Sequence, residues 1–259
     1  MASPVAFLSD FGLRDSYVGV VKGVIAGICP EAAVIDVTHG IAPGDVRAGA
    51  FELMRSARYF PKGTVFLAVV DPGVGTEREG VAVAAGGYRF VGPDNGLLSW
   101  SVREVAGGEA IRAIRLRHPA YWLDGVSTTF HGRDVFGPVA ARLACGLEIG
   151  RLGGEMTSIM ELPFPSVQRD AGELRGEILY VDGYGNLITN VRHDEVPLSP
   201  VVMVGGATIQ GLSRTYQDGE GLVALIGSHG FLEIAVPNGS AAAVLGVGVG
   251  ETVECRTAR

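Results

Sequence analysis

The sequence contains little cysteine and no long hydrophobic run. Its three cysteines, Cys29, Cys145 and Cys255, are far apart and form no CxxC pair. Reduced thiols in a cytoplasm are therefore expected. No apolar run approaches the roughly 20 residues that a membrane-spanning helix needs, and the opening MASPVAFLSDFG lacks the basic segment of a secretory signal. These absences predict a soluble, cytoplasmic protein that does not enter the membrane.

Charge is also sparse. Charged residues make up 19% of the chain, and the formal net charge is -7. An acidic balance argues against general binding to nucleic acid or to an anionic membrane. Hydrophobic residues reach 47% of the 259 positions, which is typical of a compact globular protein with one large domain or two small ones. A small molecule is therefore the expected partner.

The first part of the chain alternates strand-like and helix-like segments. The segments VAFLSDF, AVIDVT and TVFLAVV predict strands, and YVGVVKGVIAGI predicts a helix. Asp45 is expected to cap a second helix, GVAVAAGGYRFVGPDNG to form a hairpin, and residues 134–143 to form a last helix. This order predicts an α/β domain, residues 1–163, with a mostly parallel sheet covered by helices.

The second part contains short strand-like segments without a convincing helix. A stretch with the prolines and charges of a linker, ELPFPSVQRDAGE, separates it from the first part. The segments EILYVD, NLITNV, PVVMV, LVALIG, FLEIAV and VECRT are separated by Gly, Asn and Asp turns. This spacing predicts an all-β domain, residues 172–259, folded as a small barrel or sandwich.

Acidic residues are expected where the strands of the first domain end. Asp10, Asp36 and Asp71 are predicted to form one rim there, because ligands of open α/β sheets bind beyond the carboxyl ends of the strands. In VVDPGVGTEREG, Asp71 and Arg78 share one short loop and could converge on one small polar group. Asp71 could equally be an ordinary turn residue, and His131 in TTFHGRD could be a capping or packing residue. The glycines do not form a phosphate loop, since the Lys-Ser/Thr ending is missing.

Two polar motifs occur in the second domain. In VDGYGN, Asp182, Tyr184 and Asn186 occupy a predicted hairpin turn, where Tyr184 offers a flat stacking surface and Asn186 could bind a base edge. The alternative is that these residues only turn the chain. The second motif, GSHGFLEIAVPNGSAA, contains Ser228 and Glu233.

Taken in order, SDFG, IDVTH, VVDPGVGTER, VGPDNGLL, TFHGRD and VDGYGNLITN resemble motifs of the S-adenosyl-L-methionine hydroxide adenosyltransferases. GSHGFLEIAVPNGSAA near the end of the chain also resembles this family, which is related to fluorinating and chlorinating enzymes that use the same substrate. The resemblance covers nearly the whole chain. It implies a C-terminal β-barrel and a homotrimer whose active sites lie between the first domain of one subunit and the second domain of its neighbour.

The resemblance also implies an activity and its residues. The activity is hydrolysis of S-adenosylmethionine to adenosine and L-methionine by an activated water that attacks ribose C5′, without a cofactor or a metal. Asp71, Arg78 and His131 match the family's water-handling triad, and either Asp71 or His131 could be the base. Asp10 matches the acid that binds the ribose hydroxyls. Other matching residues are Asp182, Tyr184 and Asn186 at the adenosylmethionine, Ser228 and Glu233 near its amino-acid end, and Val236 at the adenine edge.

Three alternatives compete with this hypothesis. A metal-dependent hydrolase could use oxygen and nitrogen ligands from Asp10, Asp36, His39, Asp71, Asp94 and His131, but no tight ligand spacing such as HExxH occurs. A non-catalytic sensor of adenosine or adenosylmethionine would need the pocket without the triad. A halogenase is disfavoured because the DPGVGTER loop is of the hydrolase type. His229, Pro237 and Tyr184 depart from the family pattern and affect only the predicted contacts of the second domain.

Overall fold

The protein forms two compact units, the first ending at Leu162 and the second beginning at Pro163. The structure is a computed structural model that describes residues 2–170 and 172–258. Each unit has its own sheet and its own hydrophobic core. In the described part of the chain, no helix combines the length and the apolar character required to cross a membrane.

The first unit contains a seven-stranded sheet in the order β2-β1-β3-β5-β4-β6-β7. The strands are β1 (Val5–Ser9), β2 (Val34–Thr38), β3 (Val65–Val69), β4 (Gly80–Ala85), β5 (Tyr88–Pro93), β6 (Arg112–Arg115) and β7 (Glu155–Met156). Strands β2, β1, β3 and β5 are parallel, whereas the pairs β4–β5, β4–β6 and β6–β7 are antiparallel. The prediction of a mostly parallel sheet is therefore confirmed only in part. The sheet is mixed, because the predicted hairpin turns at Gly86 and Gly87 and reverses the chain.

Helices cover both faces of this sheet. They are α1 (Tyr17–Ile28), α2 (Val46–Ala57), α3 (Ser99–Ala106) and α4 (Gly137–Ala144), and a π-helical turn, Gly132–Phe136, leads into α4. Short 3₁₀ turns occur at Pro119–Tyr121 and Ile149–Leu152. Asp45 caps α2 as predicted, its side chain accepting a hydrogen bond from the Ala48 N–H. The sequence patterns did not predict α3.

Alternation along β1 and β3 explains why these strands are hydrophobic at almost every position. Phe7 and Leu67 pack in the core that contains α1 and α4, while Leu8 and Phe66 pack in the core that contains α2 and α3. Because successive side chains of a strand point to opposite faces, a strand between two helical layers must be apolar on both. The polar residues that follow these strands therefore mark the sheet edge.

Cys29 and Cys145 form a disulfide that joins the residue after α1 to the residue after α4, with Cα atoms 5.9 Å apart. The expectation of three reduced thiols was wrong, because the fold brings together two cysteines that are 116 residues apart. Cys255 is a free thiol, and burial raises its pKa to about 12. Disulfides are uncommon in most cytoplasms. The cytoplasmic location therefore stays a prediction and loses one of its grounds.

The second unit contains an eight-stranded antiparallel sheet in the order β12-β11-β15-β9-β10-β14-β13, with β8 paired to β9. The strands are β8 (Gln168–Asp170), β9 (Glu173–Val181), β10 (Leu187–Arg192), β11 (Pro200–Val204), β12 (Ala207–Gln210), β13 (Val223–Ile226), β14 (Phe231–Ala235) and β15 (Thr252–Thr257). Strand β9 pairs with β15 through its first half and with β10 through its second, which curves the sheet.

This curvature almost closes the sheet into a barrel. Ser213, after β12, donates its N–H to the Ala224 carbonyl of β13, and these are the two outermost strands. The unit is not all-β, since it contains a short helix, α5 (Ala241–Leu245). Ser240 caps α5 by accepting a hydrogen bond from the Ala243 N–H.

Candidate active site

A cavity of about 320 Å³ lies beyond the carboxyl ends of β1 and β3 in the first unit. Asp10 follows β1 and Asp71 follows β3 closely, so that parallel neighbouring strands deliver both carboxylates to one rim. The residues that line this cavity are Asp10, Phe11, Pro43, Gly44, Val69, Asp71, Pro72, Val74, Thr129, Phe130, His131 and Gly132. The placement of Asp36 on this rim was wrong. Asp36 lies inside β2 and is not a lining residue.

The loop from Asp71 to Arg78 is a compact double turn. The N–H of Val74 binds the Asp71 carbonyl, and the N–H of Thr76 binds the Gly73 carbonyl. Gly75 has φ +78°, and a Cβ atom there would collide with the Thr128 carbonyl oxygen. Only glycine therefore allows this loop to pack against the segment that leads to His131.

Arg78 binds the Asp71 carboxylate with two of its nitrogens. Its Nε lies 2.9 Å from Oδ1 and 3.0 Å from Oδ2, and its Nη2 also donates to Oδ2. The guanidinium carbon lies 5.0 Å from the centroid of the buried Phe136 ring. Only 12% of the Arg78 side chain and 6% of the Asp71 side chain are exposed. The pair is held in one geometry, as expected for a forked, desolvated contact.

The same guanidinium also contacts His131, because Arg78 Nη2 lies 2.9 Å from His131 Nδ1. Arginine has only donors, so Nδ1 must accept this hydrogen bond, and the neutral imidazole carries its proton on Nε2. Burial and the Arg78 charge lower the pKa of His131, while Asp71 and Asp134 act in the opposite direction. The structure therefore favours a neutral His131 that accepts at Nδ1 and can donate at Nε2.

The turn after His131 is fixed by Asp134, which is 2% exposed. Its carboxylate accepts hydrogen bonds from the Ser127 N–H at 2.9 Å and from the Arg133 Nε at 2.5 Å. These bonds close the loop before the π-helical turn, and Gly132 at its start lies close to the Phe11 ring. His131 is therefore placed by a folded loop and not by the regular part of α4.

Three aromatic rings, which the motifs did not single out, form one side of the rim. Phe11 and Phe130 line the cavity with centroids 5.6 Å apart, and Tyr17 lies 6.0 Å from Phe11 and 5.3 Å from Phe130. The signal in the sequence was the place of Phe11 directly after Asp10 and of Phe130 directly before His131. An apolar wall beside charged groups strengthens electrostatic interactions within the cavity.

The second unit contains a cavity of about 640 Å³. It is lined by Asp182, Tyr184, Asn186, Tyr216, Val236, Pro237, Asn238 and Gly239. Asp182 Oδ1 accepts the N–H groups of Tyr184 and Asn186, and Oδ2 accepts the Asn186 side-chain amide at 3.0 Å. This network fixes the turn between β9 and β10 and leaves Tyr184 82% exposed. The predicted turn thus presents an aromatic face beside a buried amide.

Ser228 and Glu233 are not lining residues of this cavity. Ser228 is exposed in the turn between β13 and β14, and Glu233 is buried within β14. Glu233 Oε1 accepts the Tyr216 hydroxyl at 2.8 Å, and burial together with this acid raises the pKa of Tyr216 to about 12. Tyr216 connects Glu233 to the cavity, and sequence patterns did not single it out because it lies in a loop without a recognisable motif.

Carboxylates and a histidine line the cavities, and Arg78 contacts two of the lining residues without lining a cavity itself. Among residues 2–170 and 172–258, no three His, Cys, Asp or Glu side chains are grouped so that they could hold a metal ion. Of the candidate metal ligands, Asp10, Asp71 and His131 line the first cavity, whereas Asp94 accepts the Met160 N–H and His39 lies beside Asp36. The first cavity could hold and polarise one water molecule, and the second could hold a planar ring.

Residues 5–153 match the SAM hydroxide adenosyltransferase N-terminal domain, and residues 176–254 match the C-terminal domain of the same family. A curated (R)-S-adenosyl-L-methionine hydrolase from Thermus thermophilus is 44% identical, over 96% of this chain and 98% of that protein. A fluorinase from Actinoplanes is 30% identical, over 74% of this chain and 72% of that protein.

Solved structures agree with these matches. The crystal structure of an uncharacterized conserved protein from Thermotoga maritima superimposes with a TM-score of 0.90 and 36% identity, over 97% of this chain and 99% of that one. The two family domains together cover most of the chain and correspond to its two units. The chain therefore belongs to the SAM hydroxide adenosyltransferase family.

Proposed function

We propose that this protein hydrolyses S-adenosyl-L-methionine to adenosine and L-methionine. The observation that carries this proposal is the contact of Arg78 with both Asp71 and His131, which line the cavity at the carboxyl ends of β1 and β3. The name of the Thermus relative supports the same activity and suggests the (R) configuration at the sulfonium.

The reaction is an in-line displacement at ribose C5′. A water oxygen forms a bond to C5′ while the C5′–S bond breaks. The electron pair of the C5′–S bond moves to sulfur, so methionine leaves with a neutral thioether. The leaving group needs no proton, whereas water is a very weak acid and a weak nucleophile. The protein must therefore orient the water and stabilise its loss of a proton.

The hydrogen bonds of the triad favour Asp71 as the group that accepts this proton. His131 uses its Nδ1 lone pair to bind Arg78, and its Nε2 carries a proton, so it has no free lone pair with which to take the proton of the water. Asp71 is anionic, and its two oxygens offer more lone pairs than Arg78 occupies. Arg78 holds both partners in place and stabilises developing hydroxide character by its charge.

The remaining predicted residues would bind the substrate. Asp10 would accept hydrogen bonds from the ribose hydroxyls, Tyr184 would stack on the adenine ring, and Asn186 with the backbone near Val236 would bind the adenine edge. Ser228 and Glu233 would lie near the amino-acid end, with Glu233 acting through Tyr216. Each role rests on the resemblance and on the places of these side chains in or beside the two cavities.

An isotope experiment tests the reaction directly. Purified protein is incubated with S-adenosylmethionine in H₂¹⁸O, and the products are separated and weighed by mass spectrometry. Hydrolysis at C5′ places one ¹⁸O atom in adenosine and none in methionine. Substrate that stays intact and binds stoichiometrically would indicate the sensor, and label in any other product would exclude attack at C5′.

Three variations of this assay test the stereochemistry, the metal-dependent hydrolase and the halogenase. Separated sulfonium epimers are expected to show faster turnover of the (R) form. Activity is expected to survive exhaustive chelation, and its loss would support the metal-dependent hydrolase. With chloride or fluoride in excess, adenosine is expected to remain the product, and a 5′-halogenated nucleoside would support the halogenase.

We further propose that the active protein is a homotrimer that combines the first unit of one copy with the second unit of another. This proposal rests on the resemblance and on the distribution of the predicted residues over two units. Analytical ultracentrifugation tests the mass. Co-expressed Arg78→Ala and Asn186→Ala chains test the site, because mixed trimers recover activity only if one site uses residues from two copies.

A further inference from the structure

A buried histidine outside the catalytic triad links the ends of two strands of the first unit. His39, which follows β2, is 4% exposed, and its Nδ1 lies 2.7 Å from the hydroxyl of Ser9, the last residue of β1. Ser9 is completely buried, so it cannot meet a substrate. The His39 ring also packs edge-on against Phe7 at 4.6 Å. Burying two polar side chains is costly unless each has a partner, so this contact must be maintained.

The order of hydrogen bonds along this contact follows from its other neighbours. His39 Nε2 lies 3.1 Å from Asp36 Oδ1, and Lys22 Nζ lies 2.6 Å from Asp36 Oδ2. The His39–Asp36 contact lacks hydrogen-bond geometry, but the negative charge of Asp36 favours a proton on Nε2 of a neutral His39, which leaves Nδ1 to accept the Ser9 hydroxyl proton. Lys22 and Asp36 are partly exposed. The chain of contacts thus runs from the surface to the buried end of β1.

The buried end of this chain of contacts, at Ser9, binds the segment that contains Asp10. The Phe11 N–H donates to Ser9 Oγ at 3.3 Å, and the Gly12 N–H donates to the His39 carbonyl at 2.8 Å. Asp10 and Phe11 line the cavity, and Asp10 Oδ2 accepts the Gly44 N–H at 2.8 Å. The backbone of residue 39 therefore fixes Gly12, and the His39 side chain acts on Phe11 only through the Ser9 hydroxyl.

We propose that His39 is a positioning residue for nucleoside binding, which acts through the Ser9 hydroxyl to set the Asp10–Gly12 segment. The inference rests on the proposed function, because it assigns the ribose contact to Asp10. His39 contacts neither Arg78 nor His131 through any hydrogen bond described above, so it affects binding and leaves the reacting groups in place. KM for S-adenosylmethionine should therefore depend on His39 more than kcat does.

Two substitutions of His39 distinguish positioning from simple packing. Asparagine places a polar atom where histidine has Nδ1, whereas glutamine places its polar atoms nearer to Nε2 and fills more volume. Positioning through Ser9 therefore predicts that His39→Asn retains near-normal KM, while His39→Gln raises KM about tenfold, the effect of one lost buried hydrogen bond. Packing alone predicts the opposite order. Steady-state kinetics measure KM for S-adenosylmethionine, and calorimetric titration measures the affinity for adenosine. Both measurements are needed because KM equals a dissociation constant only when the chemical step is slow.

Double variants test whether the effect passes through Ser9 and Asp10. In a Ser9→Ala or an Asp10→Asn background, His39→Gln is expected to add less than twofold to KM, because the connection is already broken. The exposed His118 provides the control, since His118→Gln should leave KM, kcat and melting temperature unchanged.

Three results would overturn the positioning role: unchanged KM and adenosine affinity in His39→Gln, tighter binding in His39→Gln than in His39→Asn, or independent multiplication of the His39 and Asp10 effects. If the wild-type protein binds adenosine but releases none from S-adenosylmethionine, the proposed function fails instead. The adenosine titrations would then still decide the role of His39.

Discussion

The cavities of the two units are built differently. In the first unit, polar side chains from separate loops bind one another, and Asp71 and Arg78 are almost completely buried. In the second unit, Asp182 binds the backbone of its own turn, and the ring of Tyr184 projects 82% exposed. A group that must polarise one water molecule gains from burial and a fixed geometry, whereas a stacking surface needs only a flat exposed ring. The two cavities should therefore respond differently to substitution.

The largest difference is expected from Arg78→Ala. The substitution removes the contact shared by Asp71 and His131 and should lower kcat about 10²- to 10³-fold, with less than about threefold change in KM. Arg78→Lys should recover little, because one ammonium cannot replace the forked contact with both partners. Steady-state kinetics on purified variants measure the effect. A raised KM with normal kcat would make the triad a binding element and remove the contrast between the cavities.

Gly75→Ala tests whether the first cavity depends on the close approach of its loops. The new Cβ would collide with the Thr128 carbonyl oxygen, so we expect kcat to fall roughly tenfold or more and the stability to fall by about 2 kcal/mol. Gly107 is a matched control, since it has φ +54° and a Cβ added there would meet no atom within 4 Å. Gly107→Ala should cost about 1 kcal/mol and leave kcat unchanged. Equal effects of the two substitutions would show that loop contact is irrelevant to catalysis.

Tyr184→Ala tests the recognition surface of the second unit. Loss of one stacking ring should raise KM about tenfold, within the range of about 1–3 kcal/mol per stacked base, and leave kcat unchanged. Tyr184→Phe keeps the ring and should behave as wild type. Melting temperatures should be equal in all three proteins, because the ring is exposed. A fall in kcat without a change in KM would contradict a recognition role.

The smallest effect concerns pH. Protonation of His131 at Nδ1 would break its hydrogen bond with Arg78, so the proposed function expects the neutral form to be the active one. Burial and Arg78 lower the pKa of His131, so activity should be constant through neutral pH and fall only as the pH drops below about 6.5, the ordinary value. The free energy of unfolding should change in the same direction as the activity. The contribution of His131 to it is lost as the pH falls through the lowered pKa of this residue. Measurements of kcat as a function of pH for the wild type and for His131→Asn test this expected fall at acidic pH. A midpoint above about 6.5 in the wild type would contradict the hydrogen-bond assignment.

Sequence patterns predicted β1, β2, β3, the β4–β5 hairpin and most helices of the first unit because each depends on local periodicity or capping, but they did not predict β6 or β7. They failed where distant segments decide the outcome. Asp36 was placed at the end of a strand but lies inside β2, where it pairs with Lys22 and His39. The parallel content of the sheet was overestimated because the predicted hairpin reverses half of the pairings.

The residues of the second cavity could be predicted from the sequence only in part. The turn with Asp182, Tyr184 and Asn186 lies within five residues, so a local motif could place it. Tyr216 reaches the same cavity from a separate loop and carried no signal. Ser228 and Glu233 belong to one motif, yet neither lines the cavity, because Ser228 lies in the turn between β13 and β14 and Glu233 is buried within β14, where it binds Tyr216.

The sequence by itself determined the family, the two-part organisation and the local turns that carry Asp71, Arg78 and the Gly-Tyr-Gly-Asn segment. Only the tertiary structure decided that Arg78 bridges Asp71 and His131, that His131 accepts at Nδ1, and that Cys29 meets Cys145. The physical reason is the distance along the chain over which each kind of interaction acts. Turns, caps and periodicity depend on neighbours within a few residues, whereas hydrogen-bond direction and the burial of charges depend on atoms that the whole fold brings together.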